Sequence, residues 1–131
     1  MLKIIHTMIR VLDPDRSLQF YGDGFGFAVT HRLDYPDFSL IYLRNPESEF
    51  ELELTHNRER TEPYTHGDGY GHIAFVTDDL QAMHDKLSAM QYAPLPIKEF
   101  KDGDTLLARF FFVLDPDGYK IEVLQEWGHY R

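Results

Sequence analysis

The chain of 131 residues contains no cysteine. Without thiols it can form neither a disulfide framework nor a thiolate metal site, so any metal must be held by nitrogen and oxygen ligands. It also lacks an apolar run that approaches the roughly 18 residues of a membrane-spanning helix. The opening stretch MLKIIHTMIRV is strand-like and too short for a signal peptide. We therefore expect a cytoplasmic protein that does not act at a membrane.

Basic residues are few, 13 against 22 acidic ones, and the formal net charge is −9. A surface of this sign repels phosphates, so we expect neither nucleic acid nor an anionic membrane as a partner. A small-molecule substrate is compatible with this charge, but an acidic one would need a local basic pocket. The length and the hydrophobic share of 43% are sufficient for a domain with its own core.

The two halves of the chain repeat one pattern. Each opens with an apolar strand that contains one histidine and continues through an Asp-rich turn into an amphipathic helix. Each ends in a strand pair, which in the second half is joined by the turn at 115–118. The one weak strand signal lies in the region 28–38. We predict an α+β fold of two βαβββ units, residues 1–60 and 68–126, in a single domain over 1–131.

One histidine and one glutamate hold matching positions in each repeat. His6 and His72 lie 66 positions apart in the first strands, and Glu53 and Glu122 lie 69 positions apart in the last strands. Taken singly, each histidine fits a core position with a satisfied hydrogen bond, and each glutamate fits the wet face of a half-exposed sheet. Taken together, two imidazoles and two carboxylates suit a divalent cation such as nickel, cobalt, zinc, manganese or ferrous iron.

The other histidines have no counterpart in the opposite repeat, so we do not expect them to bind metal. They are His31, His56, His66, His84 and His129. Strand alternation also places His56 on the face opposite to Glu53.

Five segments follow in order across nearly the whole chain: HTMIRV (6–11), SLQFY (17–21), LELTHN (52–57), YGHIAF (70–75) and DPDGYKIEVL (115–124). As a set they resemble the short bacterial type of the glyoxalase I (lactoylglutathione lyase) family in the vicinal oxygen chelate superfamily. The resemblance implies a glyoxalase-like domain, in which paired βαβββ modules form a curved, barrel-like mixed sheet around a metal site. It also implies a homodimer with the metal sites at its interface.

The same resemblance assigns roles to individual residues. The metal ligands would be His6, Glu53, His72 and Glu122, with the first two from one chain and the last two from the other. Glu122 would be the catalytic base, with Glu53 as its counterpart. The short form is similar to members that are activated by nickel or cobalt, with zinc as an alternative.

The reaction implied by the resemblance is the isomerisation of the methylglyoxal–glutathione hemithioacetal to S-lactoylglutathione through a metal-held enediolate, which detoxifies methylglyoxal. Glutathione would be the co-substrate and would contact Arg10, Asn57 and Lys101. The glycine-rich turn at 22–26 and the longer segment 103–114 depart from the family pattern. Both departures bear on the choice of thiol more than on the metal.

Two other interpretations stay open. One is a different enzyme of the superfamily, either an epimerase or isomerase or an extradiol-type dioxygenase, with another substrate. The dioxygenases use two histidines and one glutamate, so Glu53 as a fourth ligand speaks against them. The second is a metal-free binding protein that sequesters a drug, as the bleomycin-resistance members do. Those proteins lack the ligands that are present here.

Overall fold

The computed structural model describes residues 1–131, which divide into the units Met1–Thr65 and His66–Arg131. Each unit contains four strands and one α-helix. The first holds β1 (His6–Arg10), α1 (Pro14–Gln19), β2 (Ala28–Asp34), β3 (Phe38–Arg44) and β4 (Glu51–Asn57). The second holds β5 (Ile73–Thr77), α2 (Leu80–Ala89), β6 (Lys98–Asp102), β7 (Thr105–Leu114) and β8 (Lys120–Gln125). Neither helix is long and apolar enough to cross a bilayer.

Both units use the same sheet topology. The strand order is β1-β4-β3-β2 in the first sheet and β5-β8-β7-β6 in the second. The first strand of each unit pairs in parallel with the last strand, and the other neighbours are antiparallel. Parallel neighbours need a crossover connection, and the helix of each unit lies in that connection. The predicted α+β class with two βαβββ modules is confirmed.

The weakly predicted region at 28–38 contains a full edge strand. β2 pairs with β3 along its length, with a bulge between Val29 and His31. All but one of its residues are exposed. An edge strand with so little buried surface has no need of alternating apolar residues, which explains the weak signal.

An aspartate begins each helix. The Asp13 side chain accepts a hydrogen bond of 3.0 Å from the backbone N–H of Asp15, and Asp79 accepts one of the same length from the N–H of Ala82. These bonds satisfy N–H groups that have no partner inside the helix. Each crossover therefore has a defined starting point directly after the first strand of its unit.

The glycine-rich stretch after α1 forms a compact reversal. Phe20–Gly24 is a wide π-helical turn that buries the rings of Phe20 and Tyr21. Gly26 follows with a φ of 72°, a conformation that glycine adopts without a steric penalty. The segment 103–114, by contrast, forms the β6–β7 turn and β7 itself.

One face of the first sheet carries the core of its unit. Leu54 is fully buried and lies opposite Ile9 in β1 and Ile41 in β3, which are also buried. Side chains on one strand alternate between the two faces, so the neighbours of Leu54 along β4 point to the opposite face. That opposite face is where Glu53 lies.

The second sheet is built in the same way. The helix α2 contacts β7 and β8. Its buried residues are Leu80 and Leu87, and the buried residues Phe111, Ile121 and Val123 lie on the strands beneath it. The face away from the helix again carries a glutamate, Glu122.

The core packing generates a stability prediction. Leu54→Ala removes buried methyl groups between two strands and leaves a cavity, so the free energy of unfolding should fall by about 2–5 kcal/mol. Leu2→Ala, at a fully exposed position, is the matched control and should change it by less than about 0.5 kcal/mol. Urea denaturation measures both values. Equal stability of the two variants would contradict the packing described here.

Candidate metal centre

In the first unit, His6 and Glu53 meet on the face opposite the core. Met8 in β1 is the direct neighbour of Glu53 in the parallel β1–β4 pairing, and His6 lies two residues earlier on the same face. The imidazole Nε2 of His6 is 3.2 Å from Oε2 of Glu53. The Glu53 side chain is only 10% exposed. The parallel pairing therefore places the two side chains in contact.

The second unit repeats this arrangement. Ala74 in β5 is the direct neighbour of Glu122 in the parallel β5–β8 pairing, and His72 lies two residues earlier, just before β5. Its Nε2 is 3.2 Å from Oε2 of Glu122, whose side chain is 15% exposed. The structure thus brings the four candidate ligands together as two His–Glu pairs, one in each unit and in the same strand register.

Each His–Glu pair has a geometry that fits a divalent cation. Nitrogen and oxygen ligands bind such ions at about 2.0–2.2 Å, so two ligands at a right angle lie about 3 Å apart. The measured 3.2 Å is close to this separation. It also suits a hydrogen bond between an imidazolium and a carboxylate when no ion is bound. Neither unit gathers three or more His, Cys, Asp or Glu side chains that could hold an ion by themselves. Each unit therefore offers two candidate ligands, one histidine and one glutamate.

A tyrosine stands beside the first His–Glu pair, and the sequence analysis missed it. Tyr42 in β3 is the direct cross-strand neighbour of Glu53. Its hydroxyl donates a hydrogen bond of 3.0 Å to Oε1 of Glu53, and its ring lies edge-on to His6 with 5.7 Å between the centroids. Burial, followed by the hydrogen bond to Glu53, raises the pKa of Tyr42. The hydroxyl therefore keeps its proton at neutral pH and acts as a donor.

A phenylalanine holds the same place beside the second His–Glu pair. Phe112 in β7 is the direct neighbour of Glu122 and lies edge-on to His72, with 5.4 Å between the ring centroids. An aromatic residue in the penultimate strand of both repeats is visible in the sequence. It could have been found by extending the repeat comparison to that strand.

The two candidate contacts for glutathione in the first unit lie at one end of its sheet. Arg10 is the last residue of β1 and pairs with Thr55, and Asn57 is the last residue of β4, two positions further along. By strand alternation both lie on the face that carries His6 and Glu53. A cation and an amide thus lie on the face of the sheet that carries the candidate ligands His6 and Glu53.

Lys101 is not placed next to the His–Glu pair of its own unit. It lies on the edge strand β6, which is separated from β8 by β7. Its ammonium group is 3.4 Å from a carboxylate oxygen of Glu99, and both side chains are about half exposed. A substrate contact for Lys101 stays a prediction.

The sequence model of the Glyoxalase/Bleomycin resistance protein/Dioxygenase superfamily matches residues 3–123. The chain belongs to this superfamily. A probable lactoylglutathione lyase of Synechocystis sp. is 43% identical over an alignment of 130 residues. The match covers 93% of this chain and 94% of that protein.

Solved structures agree with this membership. A structure reported for the trypanothione-dependent glyoxalase I of Leishmania major has a TM-score of 0.78 and 37% identity, and the match covers 96% of this chain and 88% of that one. Glyoxalase I of Zea mays has a TM-score of 0.83 and 27% identity, with 96% of this chain and 45% of that chain covered. The glyoxalase-type fold expected from the five sequence segments is confirmed. The superfamily name spans enzymes and binding proteins, so membership alone does not select one function.

The half-site geometry generates a prediction about metal binding. His72→Ala deletes one donor of the second His–Glu pair, so affinity for nickel or cobalt should fall by more than the roughly 10–100-fold that loss of an outer-shell partner costs. His84→Ala is the control, because the His84 ring contacts the carbonyl oxygen of Leu95 at 2.9 Å and no ligand. Calorimetric titration of the metal-free proteins measures both. Unchanged affinity in the His72 variant would remove this residue from the site.

Proposed function

We propose that the protein is a metal-dependent lactoylglutathione lyase (glyoxalase I), which isomerises the hemithioacetal of methylglyoxal and glutathione to S-lactoylglutathione. The observation that carries the proposal is the repeated His–Glu pair, with the same strand register and the same 3.2 Å separation in both units. The Synechocystis relative, which matches over nearly its whole length, is named for this activity. The enzyme would contribute to methylglyoxal detoxification.

The proposed metal ligands are His6, Glu53, His72 and Glu122. A divalent cation at these side chains supplies Lewis-acid chemistry: it polarises substrate oxygens and acidifies the adjacent C–H bond. Two imidazole nitrogens and two carboxylate oxygens suit nickel, cobalt and zinc. We favour nickel or cobalt because the chain resembles the short form of the family.

Glu122 is the proposed base. The isomerisation takes a proton from the carbon that bears the sulfur and the hydroxyl group and delivers it to the neighbouring carbonyl carbon, while the hydroxyl proton passes to the former carbonyl oxygen. One carboxylate can take up the carbon-bound proton and return it, so no net proton is consumed. The Glu122 carboxylate contacts His72 through Oε2, and Oε1 accepts no hydrogen bond. Glu53 is its counterpart in the other half-site.

The proposed assembly is a homodimer in which each site combines the first His–Glu pair of one chain with the second pair of the partner. Each unit holds only two of the ligands, so a four-ligand shell needs two half-sites. The match to maize glyoxalase I covers 45% of that chain, which leaves room for a second domain of the same size. The two ligands per unit and the double length of the maize chain are both compatible with an active enzyme that contains two copies of this chain.

Arg10 and Asn57 are the proposed anchors for glutathione, with Lys101 as a third contact. Arginine binds carboxylates through two parallel hydrogen bonds, and an asparagine amide can donate to a carboxylate or a peptide carbonyl. A local cation is needed because the chain as a whole carries a charge of −9. A cytoplasmic location fits this substrate, since glutathione is the thiol that buffers that compartment.

A second thiol is a candidate on a specific observation. The Leishmania major structure, which is 37% identical to this chain, is reported for a trypanothione-dependent glyoxalase I. The departures at 22–26 and 103–114 bear on the same question. The assay of the proposed activity should therefore compare the hemithioacetals of both thiols.

The metal-free protein is reconstituted separately with nickel, cobalt and zinc, and formation of the thioester is followed with each hemithioacetal. We expect turnover with nickel and cobalt on the glutathione substrate and less with zinc. Activity on the trypanothione substrate alone would change the thiol but keep the reaction. Bound metal without turnover on either substrate would refute the proposed activity.

The cross-chain site predicts complementation between two inactive variants. His6→Ala and His72→Ala each remove a ligand from both sites of a symmetric dimer. A mixed dimer of the two variants would keep one site with all four ligands. We therefore expect co-expressed chains to recover about a quarter of wild-type activity, because half of the randomly formed dimers are mixed and each has one complete site. Recovery of no activity would contradict a site shared between chains.

A further inference from the structure

The aromatic residues beside the two glutamates differ by one hydroxyl group. Tyr42 and Phe112 are each the direct cross-strand neighbour of the glutamate in their unit. Their rings lie edge-on to the histidines, at interplanar angles of 77° and 79°. The backbone register and the ring orientation are therefore the same in both half-sites. The hydroxyl of Tyr42 has no equivalent on Phe112.

This hydroxyl makes the two glutamates unequal. Both carboxylate oxygens of Glu53 are engaged, Oε1 by the Tyr42 hydroxyl at 3.0 Å and Oε2 by His6 at 3.2 Å. Glu122 has only its Oε2 engaged, by His72. The side chains are similarly exposed, 10% and 15%, so burial does not account for the difference.

The Tyr42 ring is itself held in place. It lies between two imidazoles, with centroid distances of 5.7 Å to His6 and 5.9 Å to His31. A donor that is fixed by its surroundings keeps its acceptor in one orientation, which is how outer-shell partners tune a metal ligand. A carboxylate that moves a proton between two carbons needs an oxygen that is free to approach both of them. Glu122 meets this condition, and Glu53 does not.

We propose that Tyr42 is a positioning residue, whose hydroxyl fixes Glu53 as a static metal ligand and so leaves proton transfer to Glu122 alone. The inference rests on the proposed function, because it assigns roles within that metal site. The inference goes beyond the proposed function because it names the residue that makes the two half-sites act differently.

The first test measures metal binding without turnover. Tyr42→Phe keeps the ring and removes the hydroxyl, and cobalt affinity of the metal-free protein should fall about tenfold or more. Tyr130→Phe is the matched control, because Tyr130 lies in the second unit, where its ring contacts His129 and not a candidate ligand. The visible absorption bands of bound cobalt should shift in the Tyr42 variant only. Wild-type affinity and an unshifted spectrum in that variant would overturn the proposal.

The second test looks for a gain of activity, which a general loss of structure cannot produce. Glu122→Gln should abolish turnover, since Glu53 is fixed and cannot replace the base. Adding Tyr42→Phe to this variant releases Glu53, so turnover at saturating cobalt should rise at least tenfold above that of Glu122→Gln. A double variant that is no more active than the single one would overturn the proposal. If the wild-type protein itself is inactive on the hemithioacetals, the proposed function fails, and the cobalt titration still decides the role of Tyr42.

Discussion

The parallel pairing of the first strand with the last strand is the contact on which the candidate site depends. In each unit the direct neighbour of the glutamate is a residue of the first strand, Met8 in β1 or Ala74 in β5. The histidine lies two residues before that neighbour, so the pairing places it beside the glutamate. A register slip of one residue would turn every side chain of the strand to the other face. The register is held by the apolar face, where Ile9 meets Leu54 and Ile73 meets Ile121. The core thus fixes the geometry of the two His–Glu pairs from the opposite side of each sheet.

This arrangement allows the fold to bury the carboxylate of Glu53, which is otherwise unfavourable. Glu53 is the one glutamate that the fold buries, and a buried carboxylate without partners costs several kcal/mol. Its two oxygens meet the hydroxyl of Tyr42 and the ring nitrogen of His6. The same contacts that orient the carboxylate therefore also offset the loss of its hydration. One small network of contacts therefore both positions the Glu53 carboxylate and stabilises it in its buried place.

The sequence predicted those parts of the fold that are repeated and half-buried. The alternating strands and the matching positions of His6, His72, Glu53 and Glu122 were visible because burial imposes a period of two. The edge strand β2 gave little signal because nearly all of its residues are exposed. The contact between Tyr42 and Glu53 was not predicted, since it depends on the register of β3 against β4. Sequence alternation defines the faces of a strand but not its offset from a neighbour.

The two units share one sheet topology, but the side chains at matching positions differ. The position four residues after the histidine is Arg10 in the first unit and Val76 in the second. The position four residues after the glutamate is Asn57 in the first unit and Glu126 in the second. A carboxylate of a bound thiol would be attracted by the first set, whereas Glu126 would repel it. Under the proposed function, these differences would concentrate substrate anchoring in the first unit. The second unit would keep the proposed base, Glu122, whose carboxylate contacts His72 through Oε2 alone.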